Sequence, residues 1–206
     1  MSGRRAQAAR NDERILAAAR AVFVADPGAP VAAVAERAEV GISALYRRYP
    51  SKEDLLRRLC ADGLALYVAA AEAALADSDD AWESFARFLH RVVDADTHSL
   101  TTSLAGMFTP TAELSAAADR AAELTAAIVA RARAAGVLRD DVVAADLGLI
   151  LEQLAAVRTD DQTRTRELRD RYLALLLDGL RAGSGQHTLP GPAPRPREFT
   201  GRWERH

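Results

Sequence analysis

The run Ala38-Glu39-Val40-Gly41-Ile42-Ser43-Ala44-Leu45-Tyr46-Arg47-Arg48-Tyr49-Pro50-Ser51-Lys52-Glu53-Asp54-Leu55-Leu56, residues 38 to 56, holds the helix stop and start signals from which the rest of the chain can be read. Pro50 disfavours helical backbone at Tyr49, so a brief helix from Ile42 to Arg48 has to end there. Ser51 followed by Asp54 is a capping-box pattern and opens a much longer helix, with apolar Leu55, Leu56, Leu59, Leu66, Tyr67 and Ala70, reaching about Ala76. Upstream, Glu39-Val40-Gly41 separates the brief helix from another, Val31 to Ala38, with Pro30 suited to its first turn. Ile15, Ala18, Ala19, Val22 and Phe23 recur at helical spacing, so residues 10 to 25 form an amphipathic helix stopped by Asp26-Pro27-Gly28. Three short helical pieces therefore fill residues 10 to 49, the last two joined by a tight turn.

Beyond Ala76 the pattern stays helical. Asp80 with Glu83 opens a helix that buries Trp82, Phe85, Leu89 and Val92 and fades near Asp96. A shorter helix follows near Ser99 to Phe108, Pro110 starts the next, and Gly136 supplies its C-cap. Two final helices, Asp141 to Val157 and Thr163 to Ala182, are apolar on more than one face and so must be covered on more than one face. Gly63 marks either a bend or a close packing contact in the long helix, of which packing is the better reading. From Gly183 onward prolines and glycines mark a tail outside the core, expected to be mostly disordered. The fold class is all-α, about nine helices: a three-helix unit at 8–58, a helical bundle at 59–182 joined to it by the long helix, and the tail at 183–206.

At 206 residues and 49% hydrophobic content, with few aromatics, the composition suits a helical protein with a sizeable core. No apolar stretch reads as long enough to cross a bilayer, so no membrane partner is expected and the location is read as cytoplasmic. Cys60, on an apolar helical stretch, reads as a small core residue rather than a redox switch. The net charge of −2 hides an asymmetry: residues 1–58 hold 11 basic against 7 acidic residues, +4, residues 59–182 hold 12 against 20, −8, and the tail adds +2. A basic end and an acidic body suggest that the first meets a polyanion. A nucleophile elbow, a phosphate-cradling glycine loop, clustered metal ligands and a cysteine pair are all missing from the sequence, so neither an enzyme nor a cofactor is expected.

Two short helices around a tight turn match the helix-turn-helix, here about 31–49, whose second helix enters the major groove of double-stranded DNA. At residues 38–56, and at Ile15 and Phe23, the chain resembles the tetracycline-repressor (TetR/AcrR) family of bacterial regulators. The Leu-Tyr, aromatic-Pro-Ser-Lys-Glu and Leu-Leu elements occur in order, and the likeness covers about the first 60 residues. It implies nine helices, dimerisation through the last two, a ligand pocket in the body and release of a DNA operator when ligand binds. By the same resemblance Ile42, Ser43, Ala44 and Arg47 face the groove, while Tyr46, Arg48, Tyr49 and Lys52, the only lysine of the chain, position the DNA backbone. The chain departs from the pattern at Glu39, where glycine is usual, at Gly41, often serine, and at Pro30, often a Ser or Thr whose hydroxyl cap is worth about 1 kcal/mol.

A twofold pair of such readers meets half-sites about one DNA turn apart, so a homodimer on a pseudo-palindromic operator is expected. Leu147, Ile150, Leu151, Leu154, Tyr172, Leu176 and Leu180 are the expected dimer residues. For an unidentified small-molecule effector, the expected walls are Trp82, Phe85, Leu89, Thr101, Thr102, Met107, Phe108, Leu124, Ile128, Glu152 and Gln153. Glu152 and Gln153 interrupt an apolar helix, and either orient a ligand or face solvent. Ligand between helices four to eight would shift the long fourth helix and so the spacing of the two readers. The competing reading is a helical ligand-binding protein whose reader has degenerated, prompted by Glu39 and Pro30.

Overall fold

A computed structural model describes residues 2–78, 80–183, 187–195 and 198, and within these the side chains of residues 2–6, 8, 101 and 102 are left aside. The described residues form nine helices: α1 (Ser2–Ala25), α2 (Val31–Arg37), α3 (Ile42–Arg48), α4 (Lys52–Ala76), α5 (Ala81–Asp94), α6 (Thr97–Leu104), α7 (Ala112–Ala134), α8 (Ala144–Ala156) and α9 (Gln162–Leu180). The expected α3 and α4 coincide with the observed ones. α1 begins at Ser2, eight residues before the expected start at residue 10, since alanine-rich sequence continues a helix without needing a core. α6 starts and ends earlier than expected, at Thr97 and Leu104, and α8 starts three residues later than Asp141.

The caps follow from side-chain chemistry. Ser51 Oγ accepts the amide of Asp54 at 3.0 Å, and Asp80 accepts those of Trp82 and Glu83 at 2.9 and 3.2 Å. Thr111 and Asp161 cap α7 and α9 in the same way, through the amides of Leu114 and Thr163. Pro30 precedes α2 with no side-chain cap, as its lack of a hydroxyl dictates. Gly136 ends α7 in the left-handed conformation (φ 69°) expected of a C-cap glycine. Glu39, which stands in the α2–α3 turn, takes φ 53°. A residue with a Cβ pays roughly 1 kcal/mol for that conformation, offset in part by the 2.9 Å pair of Glu39 with Arg14.

Two apolar cores share α4. The first gathers Ile15, Phe23, Val34, Leu45, Leu55, Leu56 and Leu59 from α1–α4, together with Leu100, Leu104 and Phe108 from α6 and beyond. The second gathers Tyr67, Ala71 and Ala74 of α4 with Phe85, Phe88 and Leu89 of α5, Leu124 and Ile128 of α7, Leu147 and Leu151 of α8 and Leu173 and Leu177 of α9. Tyr67 stands edge-on to Phe88 (centroids 5.4 Å, 83°) and its hydroxyl meets Thr125 Oγ1 at 2.7 Å, so the one polar atom of that ring is satisfied in the core. The three-helix unit is thus closed from above by α6, which belongs by sequence to the body.

Three expectations need correction. α4 is long and apolar enough by length and composition to cross a membrane, contrary to the sequence reading, because its alanines and leucines run almost unbroken from Leu59 to Ala76. The structure packs it as the helix common to both cores. Gly63 does not interrupt α4, and it is not a close contact either: a Cβ there would meet nothing within 4 Å. The tail is not wholly detached. His187 O accepts Arg139 Nη2 at 2.9 Å and the amide of Leu189 donates to Asp141 Oδ2 at 2.8 Å, so two residues of the α7–α8 loop hold it. The stretch 187–195 is otherwise irregular and exposed, and residues 184–186, 196–197 and 199–206 lie outside the described residues.

Because the position is helical, roomy and buried, Gly63→Ala is expected to stabilise the protein by about 1 kcal/mol, read as a raised denaturant midpoint with unchanged slope.

Candidate nucleic-acid interface

α3 is only seven residues long and could not persist alone in water. Its inner face is anchored by Leu45, fully buried in the first core. The far end is pinned by Asp12 of α1. Arg48 donates Nε and Nη2 to the two carboxylate oxygens of Asp12 at 2.7 and 2.9 Å, and the Tyr49 hydroxyl donates to the same carboxylate at 2.7 Å. The Arg48 guanidinium holds the Asp12 carboxyl below the usual carboxylate range, and burial together with that carboxylate pushes the Tyr49 phenol above its ordinary value. Arg48 also stacks 5.4 Å over the Tyr49 ring.

What remains on the outside is a small polar and apolar face. Ile42, Ser43, Tyr46 and Arg47 are exposed, Ile42 by 40% and Tyr46 by 45%, while Ala44 is half-buried. The Arg47 guanidinium makes no hydrogen bond or ion pair within the described residues. This set sits on one side of α3, outward from Leu45, with the geometry of a helix that can be laid in a groove.

Three residues expected to touch the DNA backbone are committed elsewhere. Tyr49 is buried, 5% exposed, with its hydroxyl engaged by Asp12. Arg48, though its side chain is half-exposed, has its fork filled by the same carboxylate. Lys52 donates Nζ to the carbonyl oxygens of Pro27 and Ala29 at 3.0 and 2.8 Å and lies 5.0 Å over the Phe23 ring. Its charge therefore clamps the start of α4 to the α1–α2 loop. Sequence spacing placed it beside a helix N-terminus, and the fold brings two carbonyls there that its ammonium bonds.

The expected ligand walls divide. Trp82, Phe85, Leu89, Leu124 and Ile128 converge in the second core, all buried and packed on one another. Phe108 and Met107 do not join them; they pack in or against the first core, under the three-helix unit. Glu152 is half-buried and Gln153 exposed, so Gln153 takes the solvent alternative. The side chains of Thr101 and Thr102 lie outside the described residues. None of these residues lines the larger cavity, an open groove of about 400 Å³ between α4 and α7. Ala61, Ala65, Val68, Leu114 and Ala117 form its floor, with Arg57, Arg58 and Arg120 at the rim. Alanines on two helices some fifty residues apart carry no periodic or aromatic signal, which is why the sequence did not reveal it. Among the described residues no three His, Cys, Asp or Glu side chains gather as a metal site. His98 is half-buried beside Tyr67 (centroids 5.8 Å), and burial pushes its imidazole down to about 4.

Of the expected dimer residues, Leu147, Leu151, Leu154 and Leu180 are buried within the chain's own second core. Ile150 and Leu176 are half-buried, and Tyr172 is 47% exposed. Leu175, not anticipated, is the most exposed large apolar side chain of the described residues at 58%. A helix apolar all round cannot be divided by sequence into an inner and an outer face. Packing makes that division.

Residues 15–59 match the family model of bacterial regulatory proteins of the tetR family, and residues 77–182, more than half of the chain, match the C-terminal domain of SbtR-like transcriptional regulators. The chain belongs to the TetR family. It is a DNA-binding, ligand-responsive transcriptional regulator, from a family of transcription factors rather than enzymes. Among solved structures, a TetR regulatory protein from Mycobacterium vanbaalenii is 28% identical, with a TM-score of 0.56 over 86% of this chain and 99% of its own. PfmR from Thermus thermophilus is 26% identical, TM-score 0.63, over 80% and 97% of the two chains. LfrR from Mycobacterium smegmatis, solved in complex with proflavine, shares the fold at 24% identity and a TM-score of 0.58, over 88% and 99%. No curated protein matches the chain at a significant level. Members of the TetR family are cytoplasmic proteins that bind DNA operators and small-molecule ligands as dimers.

Replacing Lys52 with alanine removes a charge-assisted pair of hydrogen bonds from the loop before α2, and is expected to cost about 1–2 kcal/mol of stability in denaturant titration while leaving the salt dependence of DNA binding unchanged.

Proposed function

We propose that this TetR-family regulator is a cytoplasmic homodimeric repressor that reads a pseudo-palindromic operator through α3 and releases it on binding a small, largely apolar molecule. The observation that carries the reading is the division of α3: Leu45 buried, Arg48 and Tyr49 pinned by Asp12, and Ile42, Ser43, Tyr46 and Arg47 left outward. Ser43 and Arg47 offer hydrogen bonds to base edges, Ile42 and Ala44 apolar contact with thymine methyls, and Tyr46 a hydroxyl to phosphate. Lys52, Arg48 and Tyr49 support this face from behind rather than touching the duplex.

A single seven-residue helix offers few contacts, so a second copy is needed for affinity. The outer stripe of α9, with Leu168, Tyr172, Leu175, Leu176 and Gly179 at spacings of three and four, together with the half-buried Ile150 of α8, supplies an apolar face for that copy. The effector is read as a mostly apolar molecule held against α4, since Ala61, Ala65, Val68, Leu114 and Ala117 line the α4–α7 groove, with Arg57, Arg58, Thr111, Glu113 and Arg120 as its polar lining, and its volume suits a small ligand. LfrR, with the same fold, was solved in complex with proflavine. Ligand pressed against α4 displaces the helix that Lys52 fastens to the α1–α2 loop, altering the separation of two readers in a dimer.

Selection of bound duplexes from a random pool tests the reading: the expected product is an inverted repeat with half-sites about one turn apart, and a sequence-independent product would overturn it. On the selected duplex, Arg47→Ala is expected to lose about 1–3 kcal/mol of binding, with discrimination relaxed at one position of each half-site. Leu175→Glu places a charge in the outer stripe. Sedimentation is expected to show a monomer, and binding to the full repeat to fall toward that of a half-site.

A further inference from the structure

A DNA reader can be governed from a distance only through the contacts that fasten it to the rest of the chain. α4 is the covalent fastening. A second one runs through three arginines at the other end of α1. Arg158, in the loop after α8, donates Nη1 to the carbonyl of Val24 in the last turn of α1 at 2.6 Å, and Nε to the carbonyl of Ala155 at 3.2 Å. From the opposite side Arg20 of α1 donates Nη1 to the carbonyls of Ala95 and Asp96, at 3.4 and 3.1 Å, in the α5–α6 turn. The body therefore grips α1 at two places.

Those two places are tied to each other by one side chain. Arg169 of α9, only 7% exposed, donates Nη1 to Asp96 Oδ1 at 2.7 Å and Nη2 to Ser99 Oγ at 3.3 Å. The same guanidinium donates Nη2 to the carbonyl of Ala155 at 3.0 Å and Nε to that of Val157 at 3.1 Å. A planar fork with five donors can gather a carboxylate, a hydroxyl and two carbonyls in this way, whereas an ammonium cannot. Asp96 carries a further mark: its backbone is left-handed, φ 49° and ψ 38°, a conformation that glycine adopts freely. The chain keeps a carboxylate there instead, bonded by Arg169 and by the Ser99 hydroxyl. Strain retained beneath a side chain whose Oδ1 accepts two hydrogen bonds points to the side chain as the reason for the residue. Beside this knot lies a cleft of about 10 Å³, room for one water, bounded on its apolar side by Val92, Leu151 and Leu154 of the second core. Repacking of that core therefore meets the Asp96–Arg169 pair directly.

We infer that Arg20, Asp96, Arg158 and Arg169 are positioning residues that carry the state of the body to α1, a route to the reader separate from α4. The inference rests on the regulator reading above and adds to it the means of transmission. When side chains around Leu151 and Leu154 rearrange, the Asp96–Arg169 pair shifts, the α5–α6 turn and the α8–α9 loop move relative to one another, and α1 follows through Arg20 and Arg158. Since α9 also supplies the exposed stripe around Leu175, events on that face reach α1 through the same guanidinium.

The test uses the full chain and three variants, Arg20→Ala, Arg158→Ala and Arg169→Lys, with three readouts. Hydrogen exchange in the absence of DNA follows the amide of Asp26, which closes α1 by donating to Val22 O at 2.8 Å. Affinity is measured on the duplex obtained by selection, and thermal unfolding reports global stability. Arg158 is exposed, so its replacement is expected to leave the unfolding midpoint within about 2 °C, to speed exchange at the end of α1 about fivefold and to lower DNA affinity about fivefold. Arg169→Lys keeps the charge and loses the fork; it is expected to produce the same local pattern, and the Arg158→Ala, Arg169→Lys double variant to fall short of the sum because both act on one route. Exchange and affinity indistinguishable from the parent in both Arg20→Ala and Arg158→Ala would overturn the inference. Failure of the selection would instead count against the regulator reading, while the exchange measurement, which needs no DNA, still decides the coupling.

Discussion

The continuity of α4 constrains everything else in the molecule. Its first turns, through Leu55, Leu56 and Leu59, complete the core of the three-helix unit, and its later turns, through Tyr67, Ala71 and Ala74, complete the core of the bundle. A helix of 25 residues extends about 37 Å and resists bending, so the two cores cannot move independently without breaking hydrogen bonds along it. Ser51 determines where that helix begins and Lys52 what it is fastened to. The cap satisfies an amide at its first turn and the lysine joins it to Pro27 and Ala29, so displacement of α4 is felt at the reader.

The reader itself shows how little intrinsic stability a recognition helix needs when its ends are held. Seven residues with one buried leucine would not stay helical in isolation. Asp12 takes the place of missing length by accepting from both Arg48 and Tyr49, and the Arg48 guanidinium in turn holds that carboxyl below the usual carboxylate range. One consequence is a division of labour among neighbours: Arg47 and Arg48 are adjacent and chemically identical, yet the second is neutralised by α1 and the first is not. Arg14, Arg48 and Arg57 pair with acids of the same segment, so the +4 surplus of the first 58 residues is unchanged but is carried by fewer side chains.

α1 occupies the junction between these parts. Near its middle it holds α3 through Asp12, and toward its C-terminal end it is held by Arg158 and, through Arg20, by the α5–α6 turn. A buried arginine with a single carboxylate is a costly arrangement, since the desolvation of both charges has to be recovered from good geometry and added hydrogen bonds. Arg169 recovers it by filling its donors with Asp96, Ser99 and two carbonyls. Such a site is sensitive to small displacement, because a shift that lengthens one of those bonds leaves a buried polar group unpaired.

The sequence by itself determined what depends on neighbours along the chain. The stop at Tyr49-Pro50, the caps at Ser51 and Asp80, the left-handed end at Gly136 and the periodicity of the long helices are local, so the all-α fold, the extent of α3 and α4 and the family likeness were legible from residues 38 to 56 outward. Tertiary structure alone decided whatever depends on residues distant in the chain. Lys52 became a clamp because Pro27 and Ala29 came within reach; Leu147 and Leu151 turned inward while Leu175 turned outward because packing, not composition, divides a helix that is apolar all round. Phe108 joined the reader's core, the α4–α7 groove arose from alanines without any pattern of their own, and Arg169 met Asp96 across 73 residues. Hydrophobic periodicity states that a face must be covered, and only the folded chain states by what.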